Sequence, residues 1–80
     1  MPNIKEEENK VYITKRELEV IEGIALDLQS HEIAEKMFVS KRTIDFHIAN
    51  IFTKLRNKGY KVSSKIGIYR YALQHGIIQL

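Results

Sequence analysis

Apolar residues recur along this chain at intervals of three and four, the spacing that gathers them on one face of an α-helix. Val20, Ile21, Ile24 and Ala25, with Leu28 beyond, make the first such stripe. Thr14-Lys15-Arg16-Glu17 precedes it as a capping box, with the Thr14 hydroxyl accepting from the Glu17 N–H and the Glu17 carboxylate reaching back. The pattern predicts a helix over about 15–26, although Gly23 inside it costs roughly 1 kcal/mol against alanine. Ser30 is the expected N-cap of a second, short helix over 31–37, with Glu32 in its first turn and Ile33, Ala34 and Met37 inward. Phe38-Val39 interrupts the pattern, and Ser40 offers a third cap. From Lys41 to about Leu55 runs a longer helix with Ile44, Ile48, Ile51 and Leu55 on one side. Arg42, Asp45, Phe46, Ala49, Asn50 and Thr53 lie on the other. A basic turn containing Gly59 fills 56–63, and a last helix is expected from Ser63 or Ser64 to His75-Gly76. Ile66, Tyr69, Ala72 and Leu73 are expected to face inward there, with Ile77 and Ile78 closing on the core. No strand pattern competes, so the fold class is all-α, a four-helix compact helix-turn-helix domain.

The chain has 80 residues, room for one small domain, expected over 11–80. Residues 1–10 hold three consecutive glutamates and almost nothing to bury, and are expected to form a flexible acidic arm. No apolar run suits a bilayer span or a secretory signal. There is no cysteine, which excludes disulfides, thiolate zinc sites and cysteine nucleophiles and fits a cytoplasmic location. The three histidines, His31, His47 and His75, are too far apart in sequence for a metal-ligand motif, and no glycine loop cradles a phosphate. Neither catalysis, nor a metal, nor a cofactor is expected.

Charge is uneven. Residues 1–30 carry a net −3 and residues 31–80 a net +6; between 41 and 70 eight bases face Asp45 alone. A basic half on a small domain is the footprint of nucleic-acid binding, and equally that of a solvated surface. The helix pair sharpens the choice. Ala34 and Ile44, ten residues apart across a three-residue turn, have the spacing of a helix-turn-helix. A small residue there lets the second helix cross closely, and its outward face then enters a major groove.

Several stretches together resemble the LuxR/FixJ/GerE-type helix-turn-helix family over about residues 12–78. Ile13-Thr14, Arg16-Glu17, Glu19-Val20-Ile21 and Ala25 are similar to its opening motif, and Glu32-Ile33-Ala34 with Met37-Phe38-Val39-Ser40 to its core. Thr43-Ile44, His47, Ile51 and Lys54-Leu55 resemble its recognition helix, and Tyr71-Ala72-Leu73 with Gly76-Ile77-Ile78 its close. The native-looking Met1 and the acidic arm favour a stand-alone, GerE-like member, while an excised C-terminal domain of a larger regulator would look the same. The resemblance implies a sequence-specific regulator of transcription that binds double-stranded DNA, with another transcription regulator or RNA polymerase as a further partner. It also implies a homodimer through the last helix, where Ile68, Tyr69, Tyr71 and Ala72 are the expected interface. Those aromatics could equally cover the first helix.

By position, Ser40 and Thr43 would hold phosphates, with Lys41 and Arg42 adding charge. His47 and Lys54 fall on the family's histidine and lysine, where packing and solvation are the plainer alternatives. Two departures stand out. Asp45 and Ala49 occupy positions where many members carry basic residues, and the connector after Leu55 is about four residues longer than usual. Arg56, Lys58 and Lys61 in that connector are candidates to replace the lost phosphate contacts. The base-reading face would then be Arg42, Asp45, Phe46, Ala49, Asn50 and Thr53, low in positive charge. A protein-binding antagonist of another regulator is the alternative this composition leaves open.

Overall fold

Branched aliphatic side chains from all four helices meet in one core, in which Val20, Ile21, Ile33, Ile44, Ile51, Leu55 and Ile68 are essentially sealed from solvent. The computed structural model describes residues 10–79, so the arm expected over 1–10 lies, but for Lys10, outside the described residues. The helices are α1 (Lys15–Ala25), α2 (Ser30–Met37), α3 (Lys41–Asn57) and α4 (Lys65–Gln74). No strand occurs among the described residues. The long α3 packs on α2 and α1, and α4 packs on α1. Val11, ahead of α1, and Val62, in the connector to α4, are drawn into the same core.

The capping box at the start of α1 forms as expected. The Thr14 hydroxyl accepts from Glu17 N at 3.1 Å, and Glu17 Oε1 accepts from Thr14 N at 3.0 Å. Gly23 has a packing reason: a Cβ built there would lie 2.6 Å from Ile33 Cγ1, so the missing side chain lets α2 press against α1. At α2 the expected cap is off by one residue. Gln29 is the N-cap, its N–H donating to the Glu32 carboxylate at 2.9 Å, while Ser30 is the first helical residue and is buried. Ser30 is spent on a tertiary contact instead, described below. α3 continues two residues beyond Leu55, to Asn57.

All four helices stop in the same way. Asp27, Phe38, Gly59 and Gly76 take positive φ, and the N–H of the next residue returns to a carbonyl five positions back. These bonds run from Leu28 to Gly23, Val39 to Ala34, Tyr60 to Leu55 and Ile77 to Ala72. This is the Schellman geometry, which satisfies carbonyls left open at a helix end. Each returning residue is apolar and packs against the core. Two stops use glycine, for which the conformation is free, and two use residues for which it costs about 1–2 kcal/mol.

The face of α4 differs from the expectation. Ile68, Tyr71 and Ala72 are buried within the protomer, whereas Ile66 is 67% exposed and Tyr69 and Leu73 are partly covered. Apolar residues surround this helix, so periodicity does not choose a side. The choice falls to Gly67, which lies against Val62, and to Tyr71, which closes an aromatic cluster with Tyr60 and His75. The Tyr71 and Tyr60 rings meet edge to face at 4.8 Å, and His75 stacks on Tyr71 at 4.2 Å.

Candidate nucleic-acid interface

The turn from α2 to α3 is set by Phe38 in the left-handed region and by Ser40. The Ser40 hydroxyl caps α3 by accepting from Thr43 N at 3.2 Å and lies 3.0 Å from the Thr43 hydroxyl. Capping therefore accounts for Ser40, and the same hydroxyl pair stands at the positive end of a 17-residue helix. From there α3 is two-sided. Ile44, Ile48, Ile51 and Leu55 fill the core, and directly opposite stand Arg42, Phe46, Ala49 and Thr53, all exposed. Phe46 is 63% exposed, and Arg42 has no ion-pair partner among the described residues. Asn50 and His47 are half-buried on one flank of this ridge.

Asp45 is not on the ridge. It accepts from Lys41 Nζ at 2.8 Å, and hydrogen bonds from Lys41 and from Ser30, with the Lys65 charge nearby, hold its carboxyl below the usual carboxylate range. Asp45 thus ties the first residue of α2 to the second turn of α3. Its side chain stays exposed beside the ridge, with its charge offset by Lys41.

Lys54 is engaged within the fold. Its ammonium donates to Glu17 Oε1 at 2.6 Å and to the Tyr12 carbonyl at 2.9 Å, across 37 and 42 residues of sequence. Glu17 is only 3% exposed. Burial pushes its carboxyl up, but the Lys54 hydrogen bond and charge, together with the Thr14 backbone and hydroxyl, outweigh burial and leave it below its ordinary value. Lys54 is therefore a strut between α3 and the start of α1, with two of its three protons committed inside the protein. Sequence reasoning saw Glu17 only as a cap and Lys54 only as a surface cation. The usable signal was that a carboxylate on the apolar edge of α1 needs a cation.

Arg56 is partly occupied too: its Nε donates to the Val62 carbonyl at 3.2 Å and its guanidinium lies over Phe52, which pins the connector to α3. Lys58 and Lys61 are exposed just beyond α3. Of the four residues expected at a dimer seam, Ile68, Tyr71 and Ala72 are buried in the core of this chain, and Tyr69 is partly covered. The apolar strip that α4 does present is Ile66, Tyr69 and Leu73.

A short helix, an αL turn and a capped long helix with an outward ridge, on a basic chain, define a helix-turn-helix DNA-binding regulator of transcription. Residues 11–72 match the pattern of the "Bacterial regulatory proteins, luxR family", and the chain belongs to that family. It is 44% identical over 55 residues to "Spore germination protein GerE" of Bacillus subtilis (strain 168), covering 69% of this chain and 74% of that protein. It is 40% identical over 67 residues to "Oxygen regulatory protein NreC" of Staphylococcus aureus (strain JH9), covering 84% of this chain but 29% of that one. No solved structure gives a significant match.

Proposed function

We propose that α3 lies in the major groove of duplex DNA, with the ridge Arg42, Phe46, Ala49 and Thr53 against base edges. Ser40, Lys41 and Thr43 at its start hold phosphates, and Lys58 and Lys61 meet the backbone beyond its end. His47 and Asn50 border the contact. The observation that carries this reading is the ridge itself, opposite four buried aliphatics and preceded by a capped, positively polarised helix end. Two copies pair through the exposed strip of α4, Ile66, Tyr69 and Leu73, and engage two half-sites in the cytoplasm, where the DNA is.

A titration against a random-sequence duplex pool at about 50 and 200 mM salt, followed by selection and sequencing, tests the reading. Salt-dependent binding that enriches a two-fold symmetric site supports it. A second reading, an antagonist that binds another regulator or RNA polymerase, is favoured by one feature, the single cation on the ridge. No binding even at the lower salt would move the assignment there.

A further inference from the structure

The middle of the α3 ridge can donate no hydrogen bond to a base. Phe46 and Ala49 have no polar side-chain atom, and the Thr53 hydroxyl donates back to the Ala49 carbonyl at 3.0 Å, so its one proton is spent within the helix. Phe46 on this ridge is 63% exposed and lies outside the core packing of the described residues. In the major groove, guanine, adenine and cytosine present donors and acceptors, whereas thymine alone adds an apolar group, its C5-methyl. Phe46 and Thr53 are seven residues apart, about 10 Å along a helix at 1.5 Å per residue. That is roughly three base-pair steps at 3.4 Å each.

We infer that Phe46, Ala49 and the Thr53 methyl form an apolar rail that selects DNA by thymine methyl groups within a window of four base pairs, with Arg42 as the polar reader at one end. The inference rests on α3 occupying the major groove. It assigns Phe46 as the main specificity-determining residue and makes the methyl group itself, rather than A·T pairing or minor-groove width, the feature recognised.

Deoxyuridine separates these possibilities, because it keeps the pairing and the minor groove and removes only the methyl. In a duplex recovered by selection, each thymine of the half-site is replaced by deoxyuridine in turn. Replacement at the central positions should weaken binding about fourfold per methyl, the worth of one buried methylene-sized group. With Phe46→Ala the penalty at one of those positions should vanish. With Arg42→Ala binding should weaken while the deoxyuridine penalty persists. Phe46 is exposed, and circular dichroism of Phe46→Ala should match the parent chain. If the parent chain binds the deoxyuridine and thymine duplexes equally, or selects a half-site centre without A·T pairs, the inference falls and groove binding stands. If no duplex is bound at all, both fall.

Discussion

Replacing Lys54 by methionine keeps a stem of similar length and removes only the charge, which makes it the most informative single change in this protein. The parent side chain links Glu17 Oε1, at 2.6 Å, and the Tyr12 carbonyl, at 2.9 Å, to the fourth turn of α3. Its loss strands a carboxylate that is almost wholly buried and leaves Thr14 as its sole remaining partner. Breaking a buried pair costs about 3–5 kcal/mol. The Lys54 side chain is 34% exposed, so solvent screening lowers the expectation to about 2–3 kcal/mol. Against a total of roughly 4–12 kcal/mol for a domain of this size, that is a large fraction. It corresponds to a fall in Tm of about 10–20 °C. Urea and thermal melts followed by circular dichroism measure it.

The acid dependence has a definite sign. Glu17 has a lowered folded-state pKa, so its contribution is present above its ordinary value of 4.5 and is lost as pH falls through the folded value. Below that point the carboxyl is neutral in both chains and no longer needs a cation, and the gap between parent and Lys54→Met should narrow. Salt titrations of DNA binding complete the test. Lys54→Met should leave the log–log slope unchanged, whereas losing a phosphate contact flattens it by about 0.9. An unchanged Tm together with a flattened slope would refute the strut and make Lys54 a phosphate ligand.

Three further outcomes are expected. Gly23→Ala should destabilise by about 1–2 kcal/mol, since the clash with Ile33 exceeds the gain in helix propensity; pairing it with Ile33→Val should recover part of the loss in a urea melt. Asp45→Asn should strengthen non-specific DNA binding and steepen its salt dependence, because Lys41 is released beside the start of α3; an unchanged slope would mean that Lys41 stays away from phosphate. Phe38→Gly should hold or raise Tm by a few degrees, since Phe38 is 94% exposed and takes a left-handed conformation that glycine adopts freely; a marked fall would show that the ring contributes to folding.

The helices were legible because α1, α2 and α3 each pair a cap with a single apolar stripe, so local chemistry and burial agree. In α4 they do not. Ile66 and Ile68 are equally apolar on opposite sides, and only contacts with Val62 and Tyr60, distant from the pattern, choose between them. The same limit hid the fate of three polar residues. Ser30 and Asp45 were read from their neighbours in sequence as a cap and a groove-facing acid, and Lys54 as the family's lysine or a solvated one. Their partners across the fold are Asp45 for Ser30, and Glu17 for Lys54. The outward ridge of α3 was visible in advance except at its edge, where Asp45 leaves it for α2.

The repeated helix stop separates the length of a connector from the register of the helix before it. Where α3 ends, Gly59 and the bond from Tyr60 to Leu55 close the backbone within the helix's own last turn, and Tyr60 plugs the core just beyond. Extra residues placed after Tyr60 therefore follow a finished helix end, with the Leu55 and Arg56 carbonyls already bonded. Ser63, between the buried Val62 and the Ser64 cap of α4, is in this sense a splice point: chain can be added there without rotating Arg42 or Phe46. A protein built this way can alter how its last helix is presented while the long helix before it keeps its register.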